Sequence, residues 1–179
     1  MFSADNTVLL VIDVQGRLAY LMQEKEKLFK HLQALIKAAT ILDIPILHTE
    51  QSPDKIGKTI PEIAEMVPNL KPITKASFSA CSEKSFMKEL KLLKRKQIIA
   101  AGIETHVCVH QTVADLLRLK YEVQVVADAV SSRSMENKSV ALDRMRSNGA
   151  VLTSTEMITT ELIRTSAHPK FKEILGLIR

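Results

Sequence analysis

The stretch Ile98-Ile-Ala-Ala-Gly-Ile-Glu-Thr-His-Val-Cys-Val109 decides how this chain is read. A continuous apolar run ends at Gly102, and Cys108 follows where Val109, Val113, Leu116 and Leu117 begin a helical face. Strand, turn and helix therefore succeed one another with a thiol at the junction. The N–H groups of a helix's first turn are unpaired and carry partial positive charge, so they favour a thiolate and can hold an oxyanion. The expectation is a nucleophilic cysteine with an acid-shifted thiol, set against the plainer reading of a small buried hydrophobe.

Working outward, Val8–Ile12 is a second continuous branched run, bounded by Asn6 and Asp13, as suits a strand covered on both faces. Leu28, Leu32, Leu35, Ile36, Ala39 and Leu42 share one face of a long helix. Pro45 stops that helix and residues 44–47 give a short strand. Residues 53–68 read as a surface excursion with one brief helix, and 72–74 as a strand ending at Lys75. Phe86, Leu90 and Leu93 mark the next helix, and 97–101 and 122–127 further strands. Asn148-Gly149 closes a helix containing Ala141 and Met145, 150–152 is a last strand, Ser154 caps another helix, and Pro169 opens a final one.

This alternation predicts an α/β fold: a three-layer α/β/α, Rossmann-like, mostly parallel sheet of about six strands with helices on both faces. The whole of 1–179 forms one domain, long enough to bury roughly 70% of the surface its unfolded chain exposes. Asp13, Lys75 and Cys108 each fall at or just beyond a strand's carboxyl end, the edge where open α/β sheets bind ligands. An acid, a cation and a thiol there make a nucleophilic triad. The competing readings are an N-cap for Asp13 and a solvated strand end for Lys75.

Composition narrows the partners. The net charge is +5, but the cations are interleaved with acids, as in Glu24-Lys25-Glu26-Lys27, and only 4% of residues are aromatic. With no nucleic-acid-binding motif, the expectation is no nucleic-acid partner. No apolar run approaches the roughly 20 residues of a membrane span, so no membrane partner is expected either. Cys81 and Cys108, in a chain with no secretory pattern, read as free thiols in the cytoplasm rather than a disulfide, with a redox pair as an alternative. His106, Cys108 and His110 would diverge at a helix start and have no fourth ligand at a recognised spacing, so no metal is expected. A phosphatase reading of Val11–Gln15 lacks its second acid, because Gln15 stands there.

With those residues set out, the chain resembles the isochorismatase-like cysteine hydrolases, especially the branch called isochorismatase domain-containing proteins. The resemblance runs from Thr7 to Ile178 through residues 12–15, 49–51, Lys75 with 77–79, 102–109 with 111–112, 127–134 and 168–174. It implies a catalytic triad of Asp13, Lys75 and Cys108, and a cis peptide at Ile103-Glu104. It further implies an oxyanion hole from the backbone N–H groups of Glu104 and Cys108, and a substrate pocket lined by Gln15, Glu50, Gln51 and Phe78. The metal-holding Asp-x-His set of nicotinamidases is absent around His48-Thr-Glu-Gln51. The resemblance thus implies no cofactor, a small-molecule substrate cleaved at an amide or related C–N bond, and a homo-oligomer. A non-catalytic metabolite-binding protein on the same fold is the alternative.

Overall fold

A computed structural model describes residues 1–178. Its six strands are β1 (Thr7–Ile12), β2 (Ile46–Gln51), β3 (Ile73–Lys75), β4 (Gln97–Ile103), β5 (Glu122–Ser131) and β6 (Val151–Thr153). They lie in the order β3-β2-β1-β4-β5-β6, and every pairing is parallel, so the sheet is wholly rather than mostly parallel. The chain builds outward from β1 to β3, then returns to the other side of β1 for β4. That reversal puts the carboxyl ends of β1 and β4 side by side, the crevice in which such sheets bind ligands.

The helices are α1 (Gly16–Tyr20), α2 (Lys25–Ile41), α3 (Pro53–Ile56), α4 (Pro61–Ala64), α5 (Lys84–Leu92), α6 (His110–Arg118), α7 (Met135–Ser147), α8 (Thr155–Ile163) and α9 (Phe171–Leu177). On one face of the sheet, Leu28, Leu32 and Leu35 of α2, Ile63 of α4 and Ile158 of α8 pack on Leu9, Val11, Ile99 and Ala101. On the other, Phe86 and Leu90 of α5, Val113 and Leu116 of α6 and Met145 of α7 pack on Val8, Leu10, Ile12 and Ile98. Alternate residues of β1 thus feed two separate cores, which is why its whole run is apolar. None of these helices is long and apolar enough to cross a membrane.

Three local expectations change. β2 starts two residues later than expected and runs through His48-Thr-Glu-Gln51, whose polar side chains conceal a strand. β5 continues to Ser131, with its register against β4 shifting between Ala100 and Gly102. The excursion after β2 holds two short helices, α3 and α4, rather than one.

Gly102 is required by the way β1 and β4 meet. Its φ is +123°, and a Cβ there would stand 2.1 Å from the Ile12 carbonyl oxygen. No side chain fits, so the strand can approach β1 closely just before the turn that carries Cys108.

Candidate active site

Asp13 is the first residue beyond β1, with φ at +52°, a left-handed conformation that aspartate tolerates better than most residues. It is not the cap of α1, whose N-cap is Gln15. Its backbone N–H donates to Thr49 O at 3.2 Å, and its Oδ1 accepts from the Thr49 hydroxyl at 2.7 Å. The other oxygen, Oδ2, stands 2.5 Å from Lys75 Nζ.

Lys75 ends β3, two strands away from Asp13, yet its side chain is entirely buried. The solvated strand end therefore gives way to a buried ammonium, which proteins accommodate only when charge and hydrogen bonds surround it. Besides Asp13, Nζ donates to Gln51 Oε1 at 2.8 Å, Phe78 O at 3.1 Å and Ser77 O at 3.2 Å. The turn after β3 thus wraps its own carbonyls around the lysine head.

Cys108 lies in one π-helical turn, Thr105–Val109, just before α6, and is buried. Its Sγ lies 4.0 Å from Gln51 Oε1, the oxygen that also holds Lys75, and the Asp13 and Lys75 charges both act on it. The three expected side chains do meet, but the thiol is not acid-shifted. Burial first, and then the Asp13 charge, push it up to about 12, with Lys75 pulling in the opposite direction. Being several residues past the turn's start and facing a carboxylate, the sulfur stays protonated at rest.

The loop before the sulfur is held at both ends. The Ile103-Glu104 peptide is cis. Glu104 O accepts from the N–H groups of Val107 at 3.1 Å and Val109 at 3.2 Å. The Glu104 carboxylate receives Arg133 Nε at 2.7 Å, an ion pair with one nearly buried and one exposed partner. His106 Nδ1 shares a hydrogen bond of 3.0 Å with Ser132 Oγ, so β5's end pins the loop twice. His110 is half-buried, and burial, followed by the Arg144 charge, lowers its pKa.

The four residues expected to line a pocket are placed differently. Gln51 bridges the triad, its Oε1 on Lys75 and its Nε2 donating to Ala76 O at 2.6 Å. The Phe78 ring is exposed beside Lys75, while its carbonyl anchors the ammonium. Gln15 is wholly buried and spends its amide on backbone, donating to Gln51 O at 3.1 Å and Gly57 O at 2.5 Å and accepting from Gln51 N. It is a brace under the end of β2. Glu50 is a correction: strand alternation aims it away from Thr49, Gln51 and the triad, and its Oε1 accepts from Thr59 N and Thr59 Oγ1, both at 2.7 Å.

Thr49 and Arg133 carry weight that the sequence reading did not assign them. Both lie inside segments 49–51 and 127–134 that support the resemblance, and that is the signal they offered.

The profile of the Isochorismatase domain matches residues 7–157. This chain belongs to the isochorismatase family. A zebrafish (Danio rerio) protein named isochorismatase domain-containing protein 2 is 39% identical over 177 residues, covering 98% of this chain and 88% of that protein. The solved structure described as MAR1 ribonuclease from Caenorhabditis elegans superposes with a TM-score of 0.93 at 39% identity, covering 99% of this chain and 91% of that one. YcaC from Pseudomonas aeruginosa, described with hexane-2,5-diol and covalent acrylamide, gives a TM-score of 0.92 at 27% identity over 98% and 90% of the two chains. Within the isochorismatase fold, then, the ends of β1 and β3 and the turn after β4 bring a carboxylate, an ammonium and a thiol together in one buried cluster.

Proposed function

We propose that this isochorismatase-family member is a cysteine hydrolase that cleaves a small-molecule amide or related C–N bond through a thioester. The observation that carries the reading is the fully buried Lys75, paired with Asp13 at 2.5 Å and within reach of the Cys108 thiol. A buried charge pair contributes little net stability against an apolar replacement, so its retention beside a thiol has a chemical rationale.

In this reading Asp13 takes the Cys108 proton as Sγ attacks the carbonyl carbon, and Lys75 stabilises the thiolate as it forms. The backbone N–H groups of Glu104 and Cys108 receive the oxyanion, each worth about 3 kcal/mol in the transition state. Asp13 passes its proton to the amine as the C–N bond breaks, leaving a thioester. Water then gives a proton to Asp13 and attacks; the C–S bond breaks, the acid departs, and Asp13 returns the proton to sulfur. One water is consumed, one amine and one acid leave, and no cofactor is called for. Gln51 and Phe78 border the reacting centre, while Gln15 and Thr49 hold its frame.

Acrylamide bound covalently to the Pseudomonas relative supports an electrophile-accessible site in this fold. The test is a panel of small amides and esters offered to wild type and Cys108→Ala, with intact-mass measurement of an acyl adduct. Turnover and adduct in wild type, with a loss of at least about 10³-fold in the variant, is expected. Turnover retained by Cys108→Ala rejects the nucleophile. Because the C. elegans relative is described as a ribonuclease, RNA belongs in the panel. Cleavage of RNA independent of Cys108 would point to different chemistry.

A second reading, metabolite binding without turnover, draws on the thiol's upward shift to about 12, since a resting thiol is a poor nucleophile. Saturable binding with no turnover and no adduct across the panel would favour it. Self-assembly is also part of our reading, and sedimentation velocity would test it. A cytoplasmic setting suits the two free thiols, although a Phytophthora sojae relative is described as a secreted effector.

A further inference from the structure

β2 presents functional groups on both faces. Thr49 and Gln51 turn toward the triad, and His48 and Glu50 turn the other way. There they line a separate cavity of about 310 Å³ with Lys58, Val67, Leu70 and Pro72. His48 and Glu50 are each 5% exposed, and the proposed hydrolysis uses neither. Among the described residues His48 Nδ1 has no hydrogen-bond partner, and Glu50 accepts both of its hydrogen bonds at Oε1, leaving Oε2 unengaged. Native interiors pair nearly all such groups, so the orphaned His48 nitrogen, beside a cavity that the Glu50 carboxylate also lines, points to a ligand. Burial holds the imidazole toward its neutral, lone-pair-bearing form, against the opposing pull of the Glu50 charge.

We infer that this cavity is a second small-molecule site, selective for an amino-acid-like zwitterion with an aliphatic side chain. The ligand's ammonium meets Glu50 Oε2 and the His48 ring at the buried end. Its carboxylate meets the exposed Lys58 ammonium, and its side chain packs on Val67, Leu70 and Pro72. A simple amine would face Lys58 unsatisfied, and a simple carboxylic acid would face Glu50. Charge of both signs around one cavity selects a molecule that carries both.

The test is calorimetric titration of the full chain with L-leucine as probe, in parallel with 3-methylbutylamine and 3-methylbutanoate. The expected result is saturable leucine binding at one per chain, with each truncated analogue weaker by about tenfold or more. Lys58→Ala, on the surface, should remove the preference for leucine over the amine, and Glu50→Gln should weaken leucine binding while circular dichroism confirms its fold. Cys108→Ala should bind as wild type does. The inference is overturned by absence of saturable leucine binding, by an analogue binding as tightly as leucine, by an unaltered preference in Lys58→Ala, or by binding that disappears with Cys108.

Discussion

The Thr49 hydroxyl donates to Asp13 Oδ1 at 2.7 Å, and this contact orients the carboxylate so that its other oxygen faces Lys75. Both residues are buried, so neither can exchange the contact for water. Thr49→Val keeps the shape and deletes the donor. Expected is a destabilisation of about 1–3 kcal/mol in urea, the cost of an unsatisfied buried acceptor. Turnover should fall by about tenfold or more while Thr49→Ser restores most of it, since a misoriented base loses its geometry. Equal activity of the valine and serine variants would exclude the orienting role.

The charges around Cys108 make a prediction of unusual sign. Asp13 raises the thiol pKa and Lys75 lowers it, so Asp13→Asn should make the sulfur more acidic while removing the base. Iodoacetamide should alkylate Cys108 faster in Asp13→Asn than in wild type at pH 8, even as hydrolysis is lost. Slower alkylation in the variant would show that Asp13's service as base outweighs the effect of its charge on the thiol.

Cys81 and Cys108 are both pushed up to about 12, chiefly by burial. The unfolded chain begins to lose thiol protons near the ordinary value of 9.0, while the folded chain keeps them. From about pH 9 toward 12 the unfolded state therefore binds fewer protons, and stability falls as pH rises. Below pH 9 both states hold these protons and the thiols contribute no slope. Urea midpoints between pH 8 and 10.5 should thus decline less steeply in Cys81→Ala than in wild type. Parallel declines would count against a half-buried, neutral Cys81.

Gly102→Ala places a methyl where the Ile12 carbonyl stands, at a backbone angle alanine disfavours. The loss should be about 3 kcal/mol, at the upper end of ordinary single substitutions. Activity should fall with it, because β4 delivers the Cys108 loop. Thermal melting would read the first effect, and a variant as stable as wild type would remove the close-approach argument.

Much of this arrangement can be read along the chain. Two continuous apolar runs announce strands buried on both faces, and helical spacing between them announces crossovers, because both signals are local periodicities. β2 is only partly legible for the same reason: His48 through Gln51 are polar because they serve the triad and a cavity, and hydrophobic pattern is blind to a strand used that way. The positions of Asp13, Lys75 and Cys108 at strand ends follow from sequence, whereas the resemblance groups Glu50 with Gln51 at one pocket and strand alternation turns the two to opposite faces.

By itself the sequence determined the α/β alternation, a glycine at the end of one apolar run, and which three residues stand at the sheet's carboxyl edge. Tertiary structure decided that Lys75 is buried, that the Cys108 proton is held rather than released, and that Thr49 and Gln51 complete the cluster. Local propensity depends on neighbours along the chain. Desolvation and charge act through space, and strand order sets them by joining β1, β2, β3 and β4 at one rim.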